Sequence, residues 1–415
     1  MNNLTNDLQK NKTICLPFDE NEYAQLVSDV QQYRQYLDRM IEAFPELFPP
    51  EIAQGYQMKD HHCSNKLNLT IRRIRIGKES YTIRPSFVPR MTGKTQDVEK
   101  ALFLRKFGVP FWALAYVFER DPMYWYRMEK SLGRNSIVGT TVNDPEKLPD
   151  HLCADEKHSW IQGRRTYLAT TVGDECILGV DIAQNPNCSS LYPAYERFKQ
   201  EARILKPDYT PKTVNLDGWE ATRKVWKSLF SGTAIIFCFL HIFIAIRDRA
   251  KRKHKEIFDV VADKLWHAYR ASSRQFFSQR IRHLHDWAVR HSLPAVIVDK
   301  IAKMRQNLDF YARAYYFPGC HRTSNMLERI VRLMDRHLFA MQYFHRSIDS
   351  ARLSVRAWAL IYNFAPWNPC AEKKNGFSSP AHMLNGTCYH DNWLQNLLIS
   401  ASLGGYRYPP QKTLY

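Results

Sequence analysis

Three side chains that can handle a metal ion or a proton lie within one stretch of the chain, Thr213–Ile246. Asp217 follows a short β-branched run and precedes a segment with helical spacing, while Cys238 and His241 stand three residues apart in an apolar run. The pattern predicts a strand, a helix and a second strand, the last extending over Thr233–Ile246. Ligand-handling groups of open α/β sheets lie beyond the carboxyl ends of the strands, so Asp217 is a candidate metal carboxylate.

Each half of this stretch also has a purely structural interpretation. Asp217 followed by Glu220 fits a helix N-cap with its capping-box partner. A cysteine and a histidine in an apolar strand are more often core residues than ligands, and one Cys-x-x-His pair is at most half of a zinc site. We therefore assign no metal to Cys238 and His241.

Taken together, the two halves resemble the core of the Mutator-like transposases and the related bacterial insertion-sequence transposases. In these families an Asp-Gly pair at a strand end is followed by a helix and an apolar strand that carries Cys-x-x-His. They are DDE enzymes with a ribonuclease-H-like fold, and the resemblance implies one further acid upstream and a glutamate in a helix downstream. The matching residues are Asp155, in CADEKHSW, and Glu328, in RTSNMLER.

Both additional acids leave alternatives open. Asp174 and Asp181 follow Asp155 closely in the sequence, and each is an alternative first acid. Asn325 fits the cap of the downstream helix, which would make Glu328 its reciprocal third residue.

The chemistry of these transposases explains why three acids are needed. Cutting and rejoining a phosphodiester requires an activated water or 3′-hydroxyl and neutralisation of the charge on the phosphate. Two Mg²⁺ ions about 4 Å apart do both, and such hard cations take carboxylate ligands. The resemblance implies that Asp155, Asp217 and Glu328 hold the ions, with Mn²⁺ as an expected substitute. The side chains expected to support the site are Asn325, Cys238 and His241.

Charge and composition narrow the class of partner. The 415-residue chain carries 59 Lys and Arg against 41 Asp and Glu, a formal net charge of +18. This excess predicts a polyanionic partner, double-stranded DNA before an anionic membrane. The apolar run Thr233–Ile246 is shorter than the roughly 20 residues of a spanning helix, and the chain begins without a signal-peptide pattern. We expect a cytoplasmic protein, nucleoid-associated in a prokaryote.

The pattern divides the chain into four regions. An N-terminal DNA-binding region, 1–140, is followed through a polar linker by an α/β core at 151–246 and 319–365, which the resemblance identifies as the ribonuclease-H-like catalytic domain. A basic helical insertion at 247–318 interrupts the core, and a C-terminal tail at 366–415 is predicted to be a linker with one short helix.

The N-terminal region is predicted to be mostly helical, with one β-hairpin. The segments are an amphipathic helix over Asp19–Ala43, a basic hairpin over 66–89 with a bulge at Arg72 and Arg73, and short helices over Val98–Phe107, Phe111–Phe118 and Met123–Leu132. Three short helices with tight turns are typical of a helix-turn-helix, although a plain three-helix unit with core aromatics fits equally well. The basic charge favours DNA. The candidate DNA contacts are Arg72, Arg73, Arg127, Lys130, Arg134, Arg252 and Lys253.

The expected function is that of a transposase. It would bind the terminal inverted repeats of its own element and catalyse Mg²⁺-dependent strand cleavage and strand transfer, as a homo-oligomer assembled on element ends and target DNA. Two alternatives are a transposase-derived DNA-binding protein without catalysis and a nuclease of similar fold. The presence of all three acids counts against the first, and a strand-transfer product would exclude the second.

Overall fold

A computed structural model describes residues 11–65, 67–89, 93–250 and 254–407. The fold is mixed α/β, with two mixed sheets. The strands are β1 (Thr13–Leu16), β2 (Gln57–Ser64), β3 (Leu69–Ile76), β4 (Glu79–Pro85), β5 (His151–Ile161), β6 (Arg164–Gly173), β7 (Cys176–Ala183), β8 (Thr213–Leu216) and β9 (Ala234–Phe237).

Helices surround both sheets. In the first half of the chain they are α1 (Tyr23–Ser28), α2 (Val30–Ala43), α3 (Thr95–Arg105), α4 (Phe111–Phe118), α5 (Pro122–Leu132), α6 (Ile137–Thr141), α7 (Cys188–Leu205) and α8 (Glu220–Leu229). In the second half they are α9 (Phe239–Ala250), α10 (Lys255–Tyr269), α11 (Arg274–Arg290), α12 (Ala295–Gln306), α13 (Leu308–Ala312), α14 (Asn325–Ala340), α15 (Ile348–Phe364), α16 (Pro369–Asn375), α17 (Pro380–Asn385) and α18 (Trp393–Ser400).

The five-stranded sheet has the order β7-β6-β5-β8-β9. The first three strands form an antiparallel meander, and β8 and β9 run parallel to β5. Both hairpins of the meander close with two residues of positive φ, Gln162 and Gly163 in one and Asp174 and Glu175 in the other. Such turns match the right-handed twist of paired strands. The short parallel strands are buried on both faces, as strands covered by helices on both sides are.

The predicted second strand at Thr233–Ile246 is wrong beyond Phe237. Strand β9 ends at Phe237, and α9 then places Ile242, Ile246 and Ala250 on its buried side. A continuously apolar run has no period that separates strand from helix, so the sequence could not show the change. The helical insertion therefore begins with α9, before residue 247. Across the described ranges, no helix is both long enough and apolar enough to cross a membrane.

The predicted hairpin belongs to a larger sheet. Strands β3 and β4 form it, and β1 and β2 flank it in the order β1-β4-β3-β2. The irregularity in register lies in β2, between Met58 and Asp60, and not at Arg72 and Arg73 on the partner strand. The amphipathic helix over Asp19–Ala43 is also divided, because Asp29 is extended and its carboxylate caps α2.

The three predicted short helices are confirmed as α3, α4 and α5. Arg105 of α3 and Glu129 of α5 form a buried ion pair at 2.5 Å. At the end of α5, Gly133 allows a close approach to α15, because a Cβ at this position would lie 1.9 Å from the carbonyl oxygen of Leu353. The unit is therefore locked against α15, which also covers β7 of the five-stranded sheet.

The segments expected to be linkers are packed. Helix α6 and Val142, which lie in or beside the polar segment 139–150, are buried. Helix α18 is buried and lies against β1, where the backbone N–H of Cys15 donates to the hydroxyl of Ser402 at 3.2 Å. The described part of the tail, to residue 407, thus closes onto the beginning of the described chain.

The buried His337 of α14 gives the fold an expected pH dependence. Its Nδ1–H donates to the carbonyl of Arg105 at 2.9 Å, and its Nε2 has no partner among the described residues. Burial lowers the pKa of His337 well below its ordinary value. Below about pH 6.5 the unfolded chain therefore takes up a proton that the folded chain does not. The free energy of unfolding decreases as the pH is lowered through this range.

We expect His337→Gln to reduce this loss of unfolding free energy at low pH. Relative to the variant, the wild-type protein should lose up to about 1.4 kcal/mol of unfolding free energy per pH unit below pH 6.5. Urea unfolding at pH 7.5, 6.5 and 5.5 measures the difference. Parallel pH profiles for the two proteins would contradict the expectation.

Candidate active site

Asp155 and Asp217 lie side by side on neighbouring parallel strands. Strands β5 and β8 pair in register as far as Cys153 and Asn215. Asp155 follows two residues later within β5, and Asp217 follows two residues later, directly after the last residue of β8. Residues two apart point to the same face of a sheet, and adjacent strands lie about 4.8 Å apart. The two carboxylates therefore share one face of the sheet, at the carboxyl end of β8.

The turn after β8 orients Asp217. Its Oδ1 accepts a hydrogen bond from the backbone N–H of Trp219 at 2.7 Å, and Gly218 has a φ of +94° that favours glycine. Trp219, not Asp217, is the N-cap residue of α8, and Glu220 pairs with Lys224. The capping-box interpretation of Asp217 is therefore wrong, and its other carboxylate oxygen stays available at an exposed position.

Helix α14 brings Glu328 over the same face of the sheet. Lys157, two residues after Asp155 and on its face, forms an ion pair of 2.7 Å with Asp335 of α14. Asp335 lies two turns after Glu328 on the same side of the helix. The ion pair thus fixes the helix face that carries Glu328 above the strand face that carries Asp155.

The alternative role of Asn325 as helix cap is also wrong. Ser324 is the N-cap residue, and Asn325 is the exposed first residue of α14. Asn325 was predicted to support the site, but no hydrogen bond of its side chain is found within the described ranges. Ser324 supports the site instead of Asn325, since its hydroxyl donates to Oε1 of Glu328 at 3.2 Å.

Cys238 and His241 join the same cluster from a third side. Leu216 pairs with Phe237 in the parallel register of β8 and β9, so the residues that follow the two strands, Asp217 and Cys238, lie beside each other. The Cys238 sulfur lies 3.2 Å from the hydroxyl of Ser324 and accepts from its backbone N–H at 3.2 Å. His241, in the first turn of α9, places Nε2 4.0 Å from Oδ2 of Asp155.

The groups around His241 favour its protonated form. Burial lowers the pKa of His241, but the neighbouring Cys238, Asp155 and Asp217 raise it to about 9. Burial raises the pKa of Cys238, whereas the neighbouring His241 and Ser324 bring it below its ordinary value. A cation beside Asp155 offsets part of the repulsion between the carboxylates.

The three acids share one electrostatic environment. Burial first, and then the charges of Asp217 and Glu328, raise the pKa of Asp155. Carboxylates are the ligands that Mg²⁺ takes, and a cation among them would relieve this repulsion, so the donor set fits the ion. No three His, Cys, Asp or Glu side chains in the described part of the chain converge closely enough to hold a metal as they stand. Binding an ion would therefore require the carboxylates to close in.

The two alternative first acids are placed less well. Asp181 is 4% exposed, and its carboxylate accepts a hydrogen bond from Nε of Arg352 at 2.5 Å, so its charge is already paired. Asp174 lies in the turn between β6 and β7, and burial raises the pKa of its carboxyl. Neither Asp174 nor Asp181 lies opposite Asp217 on a neighbouring strand.

A buried acid behind the site was not singled out from the sequence. Glu156 follows Asp155 and points to the opposite face, where Oε1 accepts from Tyr195 at 2.7 Å and from Thr222 at 2.7 Å. Burial raises the pKa of Glu156 to about 7. The Glu156 carboxyl thus connects β5 to α7 and α8. In the sequence, only the alternation of side chains along a strand indicates that Asp155 and Glu156 lie on opposite faces of the sheet.

The predicted DNA contacts fall into three groups. Arg127 and Arg134 are exposed, and Lys130, partly buried, lies 5.5 Å from the ring centre of Tyr126. Arg72 is a correction, because it is buried and its guanidinium donates to the carbonyl of Val27 at 2.8 Å.

The prediction that Arg73 contacts DNA is also corrected in part, because its guanidinium forms an ion pair with Asp60 at 2.5 Å across the hairpin sheet. Arg252 and Lys253 lie outside the described residues, so their contribution stays a prediction.

No protein-family model matches the chain, and no curated protein is significantly similar to it in sequence. The function must therefore be inferred from the residues and their arrangement.

Removal of the Ser324 hydroxyl tests whether it positions Glu328. If the protein has the Mg²⁺-dependent cleavage that the resemblance implies, Ser324→Ala should raise the Mg²⁺ concentration needed for half-maximal strand cleavage about 10- to 100-fold, because partners of metal-binding carboxylates have effects of this size. Ser324→Thr keeps the hydroxyl and should retain most of the activity. An Mg²⁺ dependence in Ser324→Ala equal to that of the wild type would exclude the role.

Proposed function

We propose that the protein is a DDE transposase that cleaves and joins DNA strands with Mg²⁺. The observation that carries the proposal is the placement of Asp155 on β5 beside Asp217 at the end of the adjacent strand β8, with Glu328 reaching the same face from a helix. Three carboxylates contributed by two strands and a helix form a negatively charged, partly buried cluster. Structural acids are more commonly neutralised, as Asp181 is by Arg352.

The topology supports a ribonuclease-H-like core. An antiparallel meander of three strands, followed by two parallel strands on the other side of the first, is the arrangement that the resemblance to the Mutator-like families implies. The helical segment between β9 and Glu328, α9 to α13, agrees with the insertion expected between the second acid and the glutamate.

The roles of the side chains follow from their positions. Asp155 and Asp217 would hold Mg²⁺ between the strand ends, and Glu328, oriented by Ser324, would complete the set from α14. When bound, Mg²⁺ activates the attacking oxygen and neutralises charge on the phosphate. His241 balances the carboxylates, and Glu156 fixes β5 from behind.

The charge distribution supports DNA as the substrate. The net charge of +18 favours a polyanion over a neutral partner. Among the residues that the structure describes, no carboxylate lies within ion-pair distance of Arg127, in the middle of α5, or of Arg134, just after this last helix of the three-helix unit. This placement favours the helix-turn-helix interpretation over a purely structural one.

A strand-transfer assay tests the proposed function. Purified protein is incubated with a labelled duplex that carries the terminal repeat of its element, together with a supercoiled target plasmid. We expect nicked ends and joined products with Mg²⁺ or Mn²⁺, and binding with little chemistry with Ca²⁺. Cleavage without joined products would favour the nuclease, and binding without cleavage would favour the DNA-binding protein that has lost its chemistry.

The recognition helix has its own expected result. Reversing Arg127 and Lys130 to Glu should weaken binding to element ends more than binding to random duplex, and should reduce the salt dependence by about one unit of slope per lost phosphate contact. The matched control reverses Lys373 and Lys374, two exposed cations of α16. Fluorescence anisotropy at several salt concentrations measures both effects. Equal losses in the two double variants would contradict the assignment of α5.

A further inference from the structure

A groove of about 330 Å³ lies on the three-helix unit, away from the three acids. It runs between the first turns of α4 and α5 and the segment Met341–Arg346, which joins α14 to α15. Its walls are mostly aromatic and apolar, and no Asp or Glu occurs among the described residues that line it. The lining residues that matter here are Phe111, Trp112, Met123, Tyr126 and Arg346.

Two aromatic rings of the groove differ in their surroundings. Trp112 is 69% exposed, and its indole contacts no other ring or cation within the described ranges. Tyr126 is partly buried, packs edge-on against Phe111, and its hydroxyl lies 2.7 Å from that of Ser350. A large exposed indole beside a fixed tyrosine provides a flat surface on which another planar group can stack.

Arg346 supplies the charge of the groove. Its guanidinium carbon lies 4.9 Å from the ring centre of Tyr126, and its Nη2 lies 4.0 Å from the sulfur of Met123. In the part of the chain that the structure describes, no carboxylate lies within ion-pair distance of it. Arg105, the other arginine of the lining, is already neutralised by Glu129.

The groove is connected to the strand that carries Asp155. Phe344, in its wall, donates from its backbone N–H to the carbonyl of Trp160 at 3.2 Å, and its own carbonyl accepts from Gln162 at 3.0 Å. Asp155 and Ile161 are six residue steps apart along extended β5, or about 20 Å. A DNA strand that extends from α5 towards the acids would therefore pass close to the groove.

We propose that this groove binds one unstacked nucleotide of the DNA, with its base on Trp112 and its phosphate on Arg346. This inference rests on the proposed function. Aromatic rings stack on any base, and arginine pairs with phosphate in a bidentate manner. The volume lies at the small end of ligand sites, which suits one nucleotide. An apolar peptide would bury Arg346 without a counter-charge, which is unfavourable.

The test uses two fluorescent duplexes of equal length, one fully paired and one with a single unpaired nucleotide. Stacking of one base predicts that the wild-type protein binds the second duplex about fivefold more tightly or better. Trp112→Ala should abolish this preference and leave the affinity for the paired duplex unchanged. Arg346→Ala should reduce the preference. Tyr116→Ala removes an exposed aromatic ring of the same helix outside the groove, and it should behave like the wild type.

Several outcomes would overturn the inference. A wild-type protein that binds both duplexes equally, or a Trp112→Ala variant that keeps the preference, excludes the nucleotide site while leaving the proposed function intact. A change of oligomeric state in Trp112→Ala, measured by light scattering and without loss of preference, would make the groove a contact between copies. Failure of the wild type to bind either duplex would contradict the proposed function itself.

Discussion

Changing Asp155, Asp217 or Glu328 to the corresponding amide is expected to lower Mg²⁺-dependent strand cleavage by about three orders of magnitude or more, because charge stabilisation by metal supplies most of the rate enhancement in such a displacement. Each amide nearly preserves the volume of the acid. Folding and DNA binding should survive, and Asp155→Asn should be as stable as the wild type or more so, since the change relieves repulsion from the neighbouring acids.

Glu156→Gln is the matched control for these variants. It removes a carboxyl next to Asp155 in sequence but on the opposite face, and the amide oxygen can still accept from Tyr195 and Thr222. We expect near wild-type cleavage. An active Asp155→Asn would move the search for the first acid to Asp174, the less neutralised of the two alternatives. An active Glu328→Gln would leave that residue without a catalytic role.

The second large effect concerns stability. Glu201 of α7 and Arg356 of α15 form a buried ion pair at 2.6 Å, and the other oxygen of Glu201 accepts from the backbone N–H of Ile137 at 2.6 Å. Truncating Glu201 leaves Arg356 buried without a counter-charge. We expect Glu201→Ala to lower the free energy of unfolding by about 3–5 kcal/mol.

Urea unfolding measures this change, with Glu146→Ala as the control. Glu146 is exposed and pairs with Lys206 at 2.8 Å. An exposed pair of this kind contributes about 0–1 kcal/mol, so the control should unfold like the wild type. Equal stabilities for the two variants would mean that Arg356 finds compensation elsewhere.

The sequence predicted those parts of the site that depend on local patterns. The strand, turn and helix around Asp217 and the helix that carries Glu328 each have a local signal in hydrophobic period and turn residues. The three short helices of the N-terminal region were predicted for the same reason, since glycine and proline punctuate them.

The remainder depends on contacts between distant residues. The burial of Arg72 requires α1 and β3 to pack together, and no local pattern encodes that contact. The apolar run after β9 was assigned to a strand because its period is ambiguous, and the change to helix is what turns His241 towards Asp155. Ser324 was overlooked because its role depends on Cys238, 86 positions earlier in the chain.

Direct measurement of metal binding is the most decisive test of the central claim, that the three acids form one Mg²⁺ site. Mn²⁺, an expected substitute with a paramagnetic signal, can be titrated into the DNA-bound protein and followed by electron paramagnetic resonance. We predict saturable binding in the wild type and in Glu156→Gln, and an affinity at least about tenfold weaker in Asp155→Asn, Asp217→Asn and Glu328→Gln. Equal Mn²⁺ affinity in the wild type and all three amide variants would contradict the account.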